Sequence, residues 1–262
     1  MESQIEDEIA DIMEIADQIY STFGVTYRAE LSTRPEDFMG EIETWDRAEA
    51  ALKKILDKKY GEGGYEINEG DGAFYGPKID FKIRDAIGRM WQCATIQLDF
   101  NLPRRFDIKY QDKDGQLKTP LMLHRVIFGS MERFHGILIE HYAGAFPTWL
   151  APTQVNIVPI SNDKHTDYAE QVYKKMRAAG IRAELDDRSE SMNYKIRESL
   201  HDKKIPYVCI VGDKEIENNT VSVRARGIGQ VGTFGVDEFM DKILEEAKSR
   251  SNDSFAKELK KD

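Results

Sequence analysis

The stretch Gly70-Asp-Gly-Ala-Phe-Tyr-Gly-Pro-Lys-Ile-Asp-Phe81 places aromatic, basic and acidic side chains among three glycines and a proline. Glycine and proline at this density predict a turn, and glycine also lets the backbone approach a ligand closely. Tyr75 and Lys78 are then expected to project into a site. Further along, His124 precedes the run Gly129-Ser-Met-Glu-Arg-Phe134, which predicts a strand that leads directly into a helix.

The composition restricts the class of protein. The chain has 262 residues, 40% hydrophobic and 32% charged, which fits a soluble protein of one large or two ordinary domains. No apolar run reaches the ~20 residues of a membrane span. The acidic start predicts neither a secretory signal nor a transit peptide. Cys93 and Cys209 lie far apart, so we expect a reduced, cytoplasmic setting without a disulfide framework.

The net charge of −10 argues, at first sight, against a nucleic-acid partner. Recognition of a phosphate backbone depends on where the positive charge lies rather than on the total. Residues 1–18 contain many carboxylates and no Lys or Arg, so part of the acidity is confined to one segment. The charge therefore does not exclude binding of RNA elsewhere on the chain.

The first half predicts an α+β domain with helices on an antiparallel sheet. Apolar spacing predicts helices over 5–23 and 44–58, and a third helix over 129–143. Runs typical of strands cover 27–31, 65–68, 78–84, 90–100, 104–110 and 121–128.

The second half predicts an α/β domain. Pro147 and Ala151-Pro152 mark a boundary, so we expect domains at 1–150 and 151–250 and a frayed tail over 251–262. Predicted strands are 155–160, 181–185, 206–211, 221–224 and 229–234, and predicted helices are 163–179, 191–203 and 236–249.

Taken together, these motifs resemble the second half of the class II aminoacyl-tRNA synthetase core, and specifically that of threonyl-tRNA synthetases. The run Leu121-Met-Leu-His-Arg125 and the later Phe146-Pro-Thr-Trp-Leu150 make the weak Gly-x-x-x-Arg pattern at 129–133 specific. The resemblance implies a ligase that activates threonine with ATP and Mg²⁺ and transfers it to tRNA(Thr). It also implies that Gln92, Ser130 and Arg133 bind ATP, with Gly129 leaving room for the adenine. A flat, always charged guanidinium suits both a base and a phosphate.

In the resembled family, the residue that matches His124 is one of three protein ligands to Zn²⁺. The other two, a Cys and a His, are expected upstream of Met1. A metal that requires a hydroxyl group rejects valine better than shape alone does. The alternative is a histidine that makes ordinary hydrogen bonds at a strand end. Cys93 is expected to be a small buried residue rather than a ligand.

Tyr75, Lys78, Gln97 and Arg133 are the predicted catalytic residues, again by resemblance. A phenol can orient an amine or relay a proton, and an ammonium can offset phosphate charge. Gln92 and Gln97 are five positions apart and should face opposite sides of an ideal strand. A bulge would bring both to one face; otherwise only one of them belongs to the site.

Two further residues of the first half receive structural interpretations. We expect Asp99 to hold the sheet edge or a neighbouring Arg. Arg34 is expected to tie its loop to the helix that contains Trp45 and Asp46.

The second half resembles the anticodon-binding domain that synthetases for Thr, Pro, His and Gly share. Arg197, Glu215 and Arg224 stand where this family contacts the anticodon, whose splayed bases side chains can reach. Lys195, Lys203 and Lys204 would add attraction for phosphates. The alternative is that these residues form a solvated helix face.

The resembled family is much longer than this chain and is homodimeric. A short start fits a truncated chain, a fragment or a natural paralog, and we expect the isolated chain to be inactive. A second hypothesis is a non-catalytic tRNA-binding or regulatory paralog. A third, weaker hypothesis replaces threonine with proline, histidine or glycine.

Overall fold

Alternating residues along two long strands divide the first sheet into an apolar and a polar face. A computed structural model, which describes residues 2–260, gives these strands as β3, Lys78–Arg84, and β4, Met90–Asp99. Ile79, Phe81 and Ile83 are fully buried on one face, because successive residues of a strand point to opposite sides. The other face of β3 begins with Lys78.

The first unit, Met1–His141, contains a five-stranded sheet and a separate two-stranded ribbon. Its remaining strands are β1 Tyr27–Ser32, β2 Glu66–Asn68, β5 Tyr110–Gln111, β6 Leu117–Lys118 and β7 Met122–Val126. Its helices are α1 Ile5–Thr22, α2 Ile42–Tyr60, α3 Leu102–Arg105 and α4 Met131–His141. The sheet has the order β2-β1-β3-β4-β7, and the ribbon is β5-β6.

The pairing is antiparallel except at one edge. β1, β3, β4 and β7 pair antiparallel, as predicted, but β2 pairs with β1 in parallel. The reason is the connection, because α2 carries the chain across between β1 and β2, and parallel neighbours need such a crossover.

The strand predicted over 104–110 is wrong. Asp99 Oδ1 accepts hydrogen bonds of 2.9 Å from the backbone N–H groups of both Asn101 and Leu102. Pro103 stands in the first turn of α3, where its missing N–H has no cost. The chain therefore turns into a short helix after β4.

The second unit, Tyr142–Asp262, is built around another five-stranded sheet. Its strands are β8 Val155–Pro159, β9 Ala183–Leu185, β10 Tyr207–Val211, β11 Thr220–Ala225 and β12 Gly229–Gly235. They have the order β12-β11-β10-β8-β9, with β8, β9 and β10 parallel and β11 and β12 antiparallel. Its helices are α5 Asn162–Ala178, α6 Met192–Arg197, α7 Asp213–Asn218 and α8 Val236–Ser249. The helix predicted over 191–203 is α6 followed by a π-helical turn, Glu198–Asp202, and α7 was not predicted.

The division between the units falls before the predicted boundary at 150. Arg226 donates hydrogen bonds to the carbonyl oxygens of Ala145 (2.9 Å) and Phe146 (2.7 Å). Arg182 donates to those of Trp149 and Ala151, at 2.9 Å each. These two arginines hold the connecting segment to the second unit.

The predicted frayed tail is ordered in its first part. A 3-10 helix covers Phe255–Lys260, and Ala256 is fully buried. The Phe255 ring stacks on Tyr207 with centroids 5.3 Å apart. This packing holds the segment against the second unit, and the composition of the tail did not predict it. Residues 261–262 lie outside the described residues. Within residues 2–260, no helix combines the length and the hydropathy of a membrane span.

Replacing Phe81 with alanine tests the core of the first unit. The ring is fully buried and packs edge-on against Tyr27 with centroids 5.3 Å apart, so Phe81→Ala should cost about 3–5 kcal/mol of unfolding free energy. Urea unfolding followed by tryptophan fluorescence measures this loss. Ile87→Ala is the control, because Ile87 is 74% exposed and its loss should be about 0.5 kcal/mol or less. Equal losses for the two variants would contradict the assignment of the core.

Candidate functional site

A row of four polar residues crosses the first sheet at one level. Ser32 on β1 is paired with Lys78 on β3, Lys78 with Gln97 on β4, and Gln97 with His124 on β7. Directly opposed residues in a sheet project to the same face. The four side chains therefore share the polar face, although they come from four separate stretches of sequence.

A β-bulge brings Gln92 to the same face. The register between β3 and β4 shifts after Phe81, which pairs with Ala94, whereas Lys82 pairs with Gln92. Cys93 is the extra residue, and it is 1% exposed, as expected for a small buried residue. The bulge changes the alternation by one residue, which accounts for the odd spacing of Gln92 and Gln97.

Tyr75 lies over this row because its loop packs directly on β4. A Cβ atom at Gly76 would lie 1.9 Å from the carbonyl oxygen of Leu98, so only glycine permits the approach. Tyr75 Oη donates to Gln97 Oε1 at 2.8 Å, and the Tyr75 ring lies edge-on to His124 with centroids 5.6 Å apart. Burial, and then the negative charge of Asp99, raise the pKa of the Tyr75 phenol. The phenol thus remains a donor at neutral pH.

Lys78 is buried beside two carboxylates. Its Nζ forms ion pairs with Asp80 and, at 3.0 Å, with Asp71. Burial alone would lower the pKa of Lys78, but the hydrogen bonds and charges of Asp80 and Asp71 outweigh it, so the pKa is raised. Lys78 is therefore charged at neutral pH, as the ammonium between two carboxylates on the polar face.

His124 is held by a buried carboxylate. Its Nε2 lies 2.9 Å from Oδ2 of Asp99, which is fully buried. Because a carboxylate only accepts hydrogen bonds, Nε2 is the donor in this contact, and Nδ1 lies outside it. Of the two roles expected for Asp99, the one with a neighbouring Arg is wrong, and its Oδ1 instead holds the turn that follows β4. Among residues 2–260, no cluster of three or more His, Cys, Asp or Glu side chains has the arrangement of a metal site. His124 alone does not make a zinc site.

Arg133 is anchored on the bulge. Its guanidinium donates to the carbonyl oxygen of Gln92 at 2.6 Å and lies 5.9 Å from the centre of the Trp91 ring. Ser130 Oγ accepts a hydrogen bond of 3.1 Å from the Arg133 N–H, so this predicted ATP-binding residue caps the start of α4. Arg133 and Gln92 thus meet at one end of the polar face.

The three predicted anticodon residues occupy different elements of the second unit. Arg224 on β11 is paired with Val208, which belongs to the small core under α6. Its Nε is buried and has no hydrogen-bond partner among residues 2–260. Arg197, the last residue of α6, is exposed. Glu215 accepts a hydrogen bond of 3.0 Å from Gly212 N, which gives this carboxylate a capping role at α7.

The lysines expected to attract phosphates differ in exposure. Lys195 is 1% exposed and donates to the carbonyl oxygen of Asp186 at 2.9 Å, so the expectation that it lies at the surface and attracts phosphates is wrong. Lys203 is exposed, whereas Lys204 is half-buried and donates to the carbonyl oxygen of Ala143.

Two family models match the chain. The model described as "tRNA synthetase class II core domain (G, H, P, S and T)" matches residues 1–142, and the one described as "Anticodon binding domain" matches residues 154–246. The chain belongs to the class II aminoacyl-tRNA synthetases. The predicted fold class, an α+β synthetase core followed by an α/β anticodon-binding domain, is confirmed.

Curated proteins similar to this chain include threonine–tRNA ligases, and the resemblance noted from the sequence is confirmed. The enzyme of Finegoldia magna is 57% identical over 247 residues, and that of Clostridioides difficile is 55% identical over 251 residues. The chain spans 38% of the length of each, and these stretches cover 94% and 95% of this chain. A solved structure of the "RNA binding domain of Threonyl-tRNA synthetase from Cryptosporidium parvum Iowa II" matches with a TM-score of 0.87 and 38% identity. That match covers 97% of this chain and 62% of the other.

Sequence reasoning missed the acidic partners in this candidate site. Asp80 is fully buried under Lys78 and Gln92, and Asp71 reaches the same ammonium from the glycine-rich loop. One signal was present, because Asp80 follows Lys78 by two positions and so shares its face of the strand. The interpretation of Arg34 was right, since its guanidinium bonds Asp46 at 2.8 Å.

Glycines at two positions near α4 give opposite predictions. Gly129 has a φ of +68°, and a Cβ atom there would lie 3.1 Å from the carbonyl oxygen of Cys93. The bulge itself thus requires glycine at this position, and Gly129→Ala should destabilise the protein by about 1–2 kcal/mol. Gly136, inside α4, has open space at its Cβ position, so Gly136→Ala should stabilise by about 0.5–1 kcal/mol. Urea unfolding of both variants checks the signs, and a loss at Gly136 that equals the loss at Gly129 would contradict this account.

Proposed function

We propose that this chain supplies part of the active site and the anticodon-binding domain of a threonine–tRNA ligase. The reaction is the ATP-dependent activation of threonine, followed by its transfer to tRNA(Thr). The observation that supports the proposal best is the row of Ser32, Lys78, Gln97 and His124 on one sheet face, with Tyr75 bonded to Gln97. A face with no catalytic task has no physical need for this concentration of buried and half-buried polar groups.

Each residue of the polar face has a proposed task. Tyr75 donates its hydroxyl proton to Gln97, and its oxygen is proposed to orient the threonine amine by accepting a hydrogen bond from it. Lys78 is proposed to offset the charge that develops on phosphate. Arg133 lies over the adenine base and Gln92 contacts the same nucleotide, with Mg²⁺ accompanying ATP. Ser130 starts the helix that carries Arg133.

The proposal for zinc concerns a longer polypeptide. His124 would be one protein ligand, and a Cys and a His outside this chain would be the others. When bound, Zn²⁺ supplies a centre that recognises the threonine hydroxyl. The contribution of this chain is the orientation of His124, which Asp99 fixes through Nε2.

The second unit is proposed to read the anticodon of tRNA(Thr). Arg224 supports this proposal, because its side chain is half-buried on β11 and its buried Nε has no hydrogen-bond partner among residues 2–260, so no protein acceptor holds that N–H. Arg197 and Glu215 are proposed to contact neighbouring nucleotides. The proposal includes the homodimeric state that the family resemblance implies and the cytoplasmic setting that the cysteine content indicates.

Binding of tRNA to the full chain tests the proposal. Fluorescence anisotropy should show tighter binding of tRNA(Thr) than of the same tRNA with a changed anticodon. Arg224→Ala should weaken binding of tRNA(Thr) about tenfold, because a contact to a base edge is worth ~1–3 kcal/mol.

Lys242→Ala is the matched control, because it removes one positive charge on α8. That helix packs on the opposite face of the sheet, where Phe239 and Ile243 are buried. Affinity of this variant for tRNA(Thr) should be nearly unchanged. Equal affinity of the chain for the two tRNAs, or equal losses for the two variants, would overturn the anticodon assignment.

A further inference from the structure

Asp80 lies fully buried in the polar face and accepts hydrogen bonds from four side chains. Its Oδ1 accepts from Gln92 Nε2 at 2.5 Å and from Thr95 Oγ1 at 2.8 Å. Its Oδ2 accepts from Ser32 Oγ at 2.8 Å and from Lys78 Nζ. An ionised carboxylate has about four acceptor positions, so this network saturates it.

The network fixes the orientation of the Gln92 amide. Its Nε2 donates to Asp80 and, at 2.9 Å, to Thr95, which uses both N–H groups. Gln92 Oε1 accepts no hydrogen bond from any residue in the described range 2–260, and Gln92 is only half-buried. Gln92 therefore offers a hydrogen-bond acceptor to a ligand on the polar face of the sheet.

Gln97 has the opposite orientation on the same strand and face. Its Oε1 is occupied by the hydroxyl of Tyr75 at 2.8 Å. Its Nε2 donates to none of the described residues, so the amide N–H groups remain for a ligand. A ligand group over Gln92 must then donate, as a hydroxyl or amine does, whereas a group over Gln97 must accept, as an oxygen does.

The same carboxylate fixes the Lys78 ammonium. Lys78 Nζ donates to Asp80, to Asp71 Oδ2 at 3.0 Å and to Ser32 Oγ at 3.3 Å, which uses all three N–H groups. The side chain of Asp71 is 52% exposed and that of Asp80 is fully buried. Asp80 is thus the fixed anchor, and Asp71 is the partner on the solvent side.

We propose that Asp80 is a positioning residue of the candidate active site: its carboxylate sets Gln92 as a hydrogen-bond acceptor and holds the Lys78 ammonium under the open face. Which ligands bind to these groups depends on the proposed function, and in that respect this proposal rests on it. The hydrogen-bond polarity of the two glutamines follows from the network alone.

Two isosteric substitutions distinguish the orientations of the glutamines. Gln92→Glu places a carboxylate at hydrogen-bond distance from Asp80 and removes both N–H donors, so the thermal midpoint of unfolding should fall by several degrees at pH 7. Gln97→Glu keeps an oxygen for the Tyr75 hydroxyl, so its midpoint should not fall. A midpoint that falls equally in both variants, or more in Gln97→Glu, would overturn the assigned orientations.

Asp80→Asn tests the carboxylate itself. An asparagine amide has one oxygen, so it cannot accept from both pairs of donors. The exchange of the side-chain N–H₂ protons of Gln92 with water can be followed in ¹⁵N spectra. It should be slow in the unchanged chain and at least about tenfold faster in Asp80→Asn, because a loss of ~1.4 kcal/mol of protection corresponds to a factor of ten in rate.

Asp71→Asn is the matched control, because Asp71 contacts the same ammonium but not Gln92. The exchange of the Gln92 protons should be unchanged in this variant. A folded Asp80→Asn variant with unchanged exchange at Gln92 would overturn the positioning role. If Asp80→Asn does not fold, the comparison of Gln92→Glu with Gln97→Glu decides.

These measurements use neither tRNA nor threonine nor nucleotide. Failure of the Asp80 proposal therefore leaves the tRNA-binding result intact. Conversely, loss of anticodon discrimination would not alter the hydrogen-bond polarity of the glutamines. The two proposals can thus fail separately.

Discussion

The candidate active site depends on one buried ion pair, Asp80 with Lys78, in the middle of an antiparallel sheet. Removing two charges from water is costly, and the cost is offset only when further hydrogen bonds satisfy both groups. Here Ser32, Thr95 and Gln92 complete the shell of Asp80. Because every acceptor position of the buried carboxylate must receive a hydrogen bond, the positions of these side chains are fixed. Their positions in turn decide which hydrogen-bonding groups the polar face offers to a ligand.

The apolar face of the sheet makes this arrangement rigid. Fully buried residues of β3 anchor the strand from behind, so its polar residues have little freedom. The bulge at Cys93 then sets the phase of β4, and Gly129 allows the start of α4 to approach that bulge closely. Arg133 is positioned by this packing, because its guanidinium bonds the backbone of the bulge. The fold thus places the proposed nucleotide-binding group at one end of the row that contains the proposed catalytic groups.

Sequence reasoning predicted the main elements and most of the polar row, because periodicity and the family resemblance both depend on local sequence. It failed where hydrogen bonds of individual side chains decide the outcome. The strand expected over 104–110 is replaced by α3, since the Asp99 side chain captures two backbone N–H groups. Lysine is usually a surface residue, but Lys195 is buried and donates a hydrogen bond to the carbonyl oxygen of Asp186. The role of Asp80 was not predicted, because it depends on donors from three strands.

A ¹³C NMR titration of the Lys78 side chain tests the central claim most directly, because the chemical shift of Cε follows the charge of the ammonium. The groups that face Lys78 are Asp80, Asp71, Ser32 and the phenol of Tyr75. If the buried pair holds, the pKa of Lys78 lies above that of an exposed lysine, since the two carboxylates outweigh the effect of burial. A pKa below that of an exposed lysine would show burial without a charged partner, and it would contradict this account of the site.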